Sequence, residues 1–242
     1  MKVYGKNTCK EILAKKENIK KVYLQKNCDE EFKQKVLECY PNAILCDKDY
    51  LNKITNFKNH QGIVIEIQDF KYASLDEIIF EHEKKGTKAF ILVLDNIEDP
   101  QNLGSLIRTS VCAGVDGIVI PKNHSAKINE TVFKISSGAL SHIKVCEASN
   151  INSAIKKIKE NNIFVFGLEA GEKLIYDVDL TYHTCLVVGS EGYGISKLTK
   201  SLCDEIVSIP IEDKINSLNA SVAGAVGIFE VKRQRVWWKK IF

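Results

Sequence analysis

The chain has 242 residues, of which 45% are hydrophobic and 27% charged, and its formal net charge is +3. That length holds one large domain or a small one plus a medium one, and so mild a positive balance excludes a histone-like or polybasic protein while leaving local basic patches open. No stretch approaches the roughly 18 apolar residues of a membrane span, and the opening MKVYGKNTCKEILAKKEN offers no signal-peptide run, so a cytoplasmic protein without membrane contact is expected.

In chain order, NTCKEILAKK has a helical pattern, VYLQ a strand pattern, EEFKQKVLECY a helical one, and AILC and GIVIEIQ strand patterns. These form a small α/β unit with fourteen lysines against ten acids up to Lys71, a modest excess that suits either a solvated surface or RNA. SLDEIIFEHEKKGTKAF follows, with Ser74 and Glu77 at capping-box spacing and Gly86 as a helix stop. The domain junction falls in residues 68–88. From Ala89 onward strands alternate with helices. The strands are AFILVLD, GIVIP, IKVCEA, NIFVFGLEA, CLVVG and EIVSIP, and the helices 102–113, 129–140, 152–161, 195–203 and 217–234. Short, continuously apolar strands between helices predict a mainly parallel sheet covered on both faces, with ligands bound beyond the carboxyl ends of its strands.

Eight cysteines form no CxxC pair, and with five scattered histidines they point to small buried hydrophobes and no metal site.

Three strand-end loops carry the chemistry. In LDNIEDPQNLGSLIRT, Pro100 is expected to delay the helix, leaving Asn102 as its N-cap. Arg108 follows nearly two turns later, close enough to flank whatever the loop binds. The chain has three arginines against 31 lysines, so a guanidinium at this point calls for a reason. In CLVVGSEGYGISKLTK, Gly189, Gly192 and Gly194 suggest a phosphate cradle, but Glu191 would repel a polyphosphate, and no GK[ST] ending follows. A cationic or zwitterionic ligand, or a plain tight turn, fits better. In VSIPIEDKINSLNASVAGAVGIFEVKRQR, Ser217, Asn219 and Ser221 gather at a helix start, and Ala220, Ala223, Gly224, Ala225 and Gly227 allow close packing. Lys232, Arg233 and Arg235 suit the helix dipole or a phosphate. The tail VWWKKIF suits packing between subunits first and stacking on RNA second.

The ordered motifs NLGSLIRT, VVGSEGYGISK and IPIEDKINSLNASVA resemble those of the SpoU (TrmH-type) RNA ribose 2′-O-methyltransferases of the SPOUT class, over about residues 89–236. VYGKNTCKEIL and HQGIVIEI look like the ribosomal-protein-like substrate-binding domain of the RlmB subgroup. The resemblance implies an α/β fold: a substrate RNA-binding domain at 1–70, a linker helix region at 71–88, and a trefoil-knotted methyltransferase domain at 89–242. It implies S-adenosylmethionine as methyl donor against Gly189, Ile209 and Leu218, with no metal. Asn102, Arg108, Glu191, Ser217 and Asn219 match the polar catalytic positions, completed at a homodimer interface.

The substrate implied is a guanosine of large-subunit ribosomal RNA, with tRNA as alternative and no DNA. Arg108 is expected to hold the adjoining phosphate and ease formation of the 2′-oxyanion, because an arginine stays protonated unless strongly perturbed. Glu191 could align Arg108 or support the dimer. A non-catalytic RNA-binding assembly protein would not need this full polar set. A nucleotide-dependent oxidoreductase would place its glycine loop after the first strand of the sheet.

Overall fold

The computed structural model describes residues 1–16, 18–212 and 217–238, with backbone alone at 237 and 238. Side chains of the expected VWWKKIF contact, apart from Val236, therefore lie outside the described residues. The contacts divide the chain into two compact units, one of Met1–Lys71 with Lys127–His142, the other of Tyr72–Ala126 with the chain from Ile143 onward.

The first unit runs β1 (Lys2–Tyr4), α1 (Lys6–Lys15), β2 (Ile19–Gln25), α2 (Glu30–Cys39), β3 (Ile44–Cys46), α3 (Lys48–Ile54) and β4 (Ile63–Ile67). Its sheet has the order β1-β4-β2-β3, with β4 antiparallel to both neighbours and β2 parallel to β3. The run GIVIEIQ supplies β4, whose Ile63, Val64 and Ile65 are fully buried between β1 and β2. β1 and α3 were not expected from the sequence. One is three residues long and the other seven, too short for a period to show.

The second unit opens with α4 (Leu75–Ile79) and α5 (Glu81–Lys85). Ser74 and Glu77 make the expected capping box, and Gly86 ends α5 in the left-handed region at φ +61°. There follow β5 (Phe90–Asp95), α6 (Pro100–Ala113) and β6 (Gly117–Pro121). The chain then gives α7 (Glu130–Ile135) and a 3-10 turn (Ala139–His142) to the first unit, where His142 reaches Glu11 at 2.8 Å and Lys58 pairs with Glu130. It resumes the second unit with β7 (Lys144–Ala148), α8 (Ile151–Glu160), β8 (Phe164–Leu168), β9 (Thr184–Gly189), α9 (Lys197–Leu202), β10 (Glu205–Val207) and α10 (Ala220–Trp238).

The sheet order is β10-β8-β9-β5-β6-β7 and every pair is parallel. All six expected strands are present. Every residue of β5 and β9 is buried, as continuously apolar strands covered on both faces should be. α10 lies against α6 and β9. A Cβ at Gly224 would stand 2.4 Å from Leu106 Cδ2, and one at Gly227 2.9 Å from Leu186 Cδ2, so the small-residue stretch is what lets α10 approach so closely.

One expectation fails in an informative way. Pro100 does not delay α6. It occupies the first turn, where a missing N–H costs nothing, and Asp99 is the cap, accepting from Gln101 N at 3.0 Å. The side chain of Asn102 is therefore not used as a cap.

Candidate functional site

The site forms where β5, β8 and β9 end side by side, with Asp95 in register with Gly189. The loop after β9 folds back on itself. Ser190 N donates to Gly194 O at 3.1 Å, Gly194 N donates to Ser190 O at 2.9 Å, and Gly194 takes φ +63°. Gly189 lies so close beneath this closure that a Cβ would meet Gly194 C at 2.1 Å.

Two carboxylates anchor the far side. Glu169 Oε2 accepts from Ile195 N at 3.0 Å while Oε1 takes Lys200 Nζ at 2.8 Å, and the buried Asp95 accepts from Ser196 N at 2.8 Å. Sequence reasoning missed both. Their only signal is an acid at the carboxyl end of an apolar strand.

A cavity of about 420 Å³ opens beside this loop. Its walls are the end of β8 through Gly171, Val188–Glu191 with Gly194, the stretch Ser208–Ile211, and Ser217, Leu218, Ala220 and Ala223. Gly189, Ile209 and Leu218, expected together on one ligand, do line one cavity, and Ser217 and Glu191 line it with them. Ser208 holds the Ile209 segment in place, donating from Oγ to Gly171 O at 2.8 Å and from N to Lys173 O at 2.8 Å.

A second cavity of about 490 Å³ adjoins it, lined by Asn96–Asp99, Asn102, His124, Ser190–Tyr193 and Ala220. The two cavities share Ser190, Glu191 and Ala220 as a common wall. Tyr193 stands 94% exposed at the second cavity.

At that wall three predicted residues meet. Asn102 Nδ2 donates to Glu191 Oε1 at 3.0 Å, and Asn219 Nδ2 donates both to Asn102 Oδ1 at 3.0 Å and to Glu191 Oε1. Ala220 N approaches the same carboxylate oxygen at 3.4 Å. The opposite end of Asn219 caps α10, its Oδ1 accepting from Ser221 N at 3.0 Å and Val222 N at 3.2 Å. Glu191 thus fixes the amide planes of two asparagines.

Arg108 stands on α6, outside the Asn102–Glu191–Asn219 hydrogen bonds just described. It is exposed and lines neither cavity. The other two arginines serve the fold. Arg233 makes a two-pronged pair with Glu230, at 2.8 and 2.7 Å. Arg235 donates to the carbonyls of Lys88, Ala89, Leu180 and Tyr182, and burial pulls its guanidinium down to about 10.

No group of three or more His, Cys, Asp or Glu that could hold a metal occurs among the described residues. Burial raises the thiols of Cys185 and Cys203, the latter to about 11, so neither is a thiolate at neutral pH. No helix among the described residues is long and apolar enough to cross a membrane.

With that geometry in hand, the likeness to known proteins is specific. Residues 89–229 match the SpoU rRNA Methylase family, and residues 2–73 match the RNA 2′-O ribose methyltransferase substrate-binding family. A TrmH-family protein of Staphylococcus haemolyticus is 35% identical over 240 residues, covering 96% of this chain and 95% of that one. A tRNA/rRNA methyltransferase of Synechocystis is 39% identical over 190 residues, 78% of this chain, which spans only 50% of that longer protein.

Among solved structures, the SpoU methyltransferase AviRb of Streptomyces viridochromogenes, determined with AdoMet, superposes with TM-score 0.84 at 21% identity, over 98% of this chain and 91% of that one. The TrmH/SpoU tRNA-modifying enzyme of A. aeolicus gives 0.58 at 26% identity, over 68% and 82%. Two consecutive family matches, and whole-length relatives above 30% identity, place this chain in the SpoU/TrmH family of RNA methyltransferases.

Proposed function

We propose that the protein transfers a methyl group from S-adenosylmethionine to a ribose 2′-hydroxyl of structured RNA in the cytoplasm, with a guanosine of large-subunit ribosomal RNA as first substrate and a tRNA as second. The observation that carries this reading is the Asn102–Glu191–Asn219 cluster at the wall between two adjoining cavities. One cavity suits a donor and the other an acceptor, with polar groups at the point of exchange.

The first cavity, beside Gly189, fits the donor. Its walls are apolar side chains such as Leu168, Val188, Ile209 and Leu218, with glycine backbone at 171, 189 and 194. Among the described residues no lysine or arginine lines it, and its apolar slot with peptide groups at hand suits an adenosine. S-adenosylmethionine supplies, when bound, a methyl group made electrophilic by its sulfonium. The chain's own task is positioning. Gly189, Ile209 and Leu218 hold the donor, Ser217 braces it, and Asn102 and Asn219, fixed by Glu191, orient the ribose.

The role of Arg108 is to grip the phosphate beside the target and reduce the cost of negative charge on the 2′-oxygen. Because it lines neither cavity of its own chain, it is assigned to the cavity of a second copy, in a homodimer. Residues 1–70 are assigned to RNA binding, 71–88 to the link, and 89–242, with its trefoil knot, to catalysis. Support for guanosine comes from Glu98 and Asp99 at the second cavity, which can accept hydrogens from a guanine amino group.

The test is incubation with methyl-labelled S-adenosylmethionine and separate ribosomal RNA and tRNA fractions lacking the modification. Label is expected as a 2′-O-methylguanosine in the large-subunit RNA. Transfer to tRNA alone shifts the substrate, and transfer to neither fraction removes the reading.

A further inference from the structure

The first unit contains a cavity of its own, of about 390 Å³, between the end of β2, the two ends of α3 and the loop entering β4. Its lining contrasts with that of the second unit's acceptor cavity, where Glu98, Asp99 and Glu191 supply three carboxylates. Here two lysines, Lys48 and Lys58, stand with four side-chain amides, His60 and one aromatic ring, and among the described residues no carboxylate lines the space. Lys58 is paired with Glu130, which leaves Lys48 for an incoming anion.

The ring belongs to Phe57, and its backbone is unusual. Asn56 and Phe57 follow α3 with φ +51° and +58°, and Phe57 N donates back to Asn52 O at 2.7 Å. Glycine or asparagine ends a helix in this conformation readily, whereas for a bulky residue it is a true outlier. The side chain is 79% exposed, so core burial does not offset the backbone cost.

The loop beyond is also tightly specified. Gln61 takes φ +52° while its Oε1 accepts from Lys6 N at 2.8 Å. Beneath it the buried His60 accepts Gly62 N–H at Nδ1, 3.0 Å, and its Nε2 stands 3.1 Å from Asn52 Oδ1. Strain of this kind, held in place by its surroundings with an exposed ring as the product, is characteristic of a ligand contact.

The chemistry names the ligand class. A nucleobase presents a flat face for the ring and an edge rich in donors and acceptors for the amides, and its backbone brings a phosphate for lysine. A paired base hides its face in the stack, so only an unpaired one can use such a surface. We propose that Phe57 is the stacking platform for one unpaired base of a loop or bulge in the RNA, apart from the nucleotide that is methylated. The assignment rests on RNA being the substrate.

The experiment uses the full-length protein, a short RNA hairpin with 2-aminopurine in its loop, and a fully paired RNA duplex of equal length. Wild-type protein is expected to bind the hairpin more tightly than the duplex and to quench the 2-aminopurine. Phe57→Ala should weaken hairpin binding roughly tenfold and remove the quenching, leaving duplex binding unchanged. Phe57→Trp should restore both. Phe57→Gly, which suits the backbone, should bind like the alanine variant while melting no lower than wild type, so that loss of the ring is separated from loss of the fold. Equal binding by Phe57→Ala and wild type, equal loss on hairpin and duplex, or no hairpin binding by wild type each overturns the proposal. Methyl transfer by wild type to bulk RNA is scored in parallel. If it proceeds while Phe57 proves indifferent, the platform alone falls; if it is absent, the methyltransferase reading falls instead.

Discussion

Asn219 donates to Asn102 across 117 residues of chain, 3.0 Å from Nδ2 to Oδ1, while its own Oδ1 caps α10. One side chain thus ties the start of the last helix to the start of α6. The two ends can be separated by mutation. Asn219→Asp keeps an acceptor for the cap but sets a second carboxylate against Glu191. It should stay folded and lose methyl transfer by at least about a hundredfold, of the order found for a lost transition-state hydrogen bond. Asn219→Ala should lose activity and also about 1 kcal/mol of stability with the cap. Thermal melting alongside turnover checks both, and an active Asn219→Asp protein would contradict the assigned role.

Arg108 provides the second prediction. Arg108→Lys should lower the turnover rate at least tenfold with S-adenosylmethionine affinity unchanged, because an ammonium cannot replace a two-pronged guanidinium on phosphate. If each cavity is completed by the other copy, mixing inactive Arg108→Ala with inactive Asn219→Ala protein should recover activity. One site of each mixed pair then has both groups intact. No recovery after subunit exchange would assign Arg108 to its own chain.

The glycine loop makes a third. Gly189→Ala places a methyl 2.1 Å from backbone that cannot turn aside, and should cost about 3 kcal/mol together with donor binding. Gly192→Ala meets nothing within 4 Å and should be silent. Isothermal titration with S-adenosylhomocysteine on the two variants makes the comparison; equal binding would mean that the loop closes differently.

Acid should weaken both units. His60 and His183 are each lowered from the ordinary value of 6.5, chiefly by burial, and each accepts a backbone N–H at Nδ1, from Gly62 at 3.0 Å and Ala89 at 3.1 Å. A histidine lowered in the folded state is protonated first in the unfolded chain. Its contribution is therefore complete well above pH 6.5 and is lost as the pH falls below that value toward the folded pKa. The melting temperature should drop between pH 7.5 and 5.5, and His183→Gln, which can still accept from Ala89, should drop less. A flat profile would count against both assignments.

The parallel sheet was legible because its strands are continuous apolar runs, and the cavity beside Gly189 because three motifs end those strands. Capping was less so. The proline before Asn102 suggested a late helix start, but a proline at the first helical position removes no hydrogen bond that the helix needs, and Asp99 took the cap. Glu169 and Asp95 escaped notice because their partners, Ile195 and Ser196, are 26 and 101 residues away and become neighbours only once the strands are ordered. The scarcity of arginine pointed to special duties without saying which. Arg235 gathers four carbonyls and Arg233 grips Glu230, and both tasks use the breadth of a guanidinium.

The interleaving of the two units bears on any attempt to dissect them. Lys127–His142 belongs by its contacts with the N-terminal residues, and Val132, Phe133 and Leu140 within it are almost wholly shielded from water. Deleting codons 1–71 would strip away the cover that α1 and β1 give these side chains. The shortened product would carry a fresh oily face of its own making. Clumping of such a truncate would report that scar and say nothing about whether the catalytic half needs its RNA-binding partner.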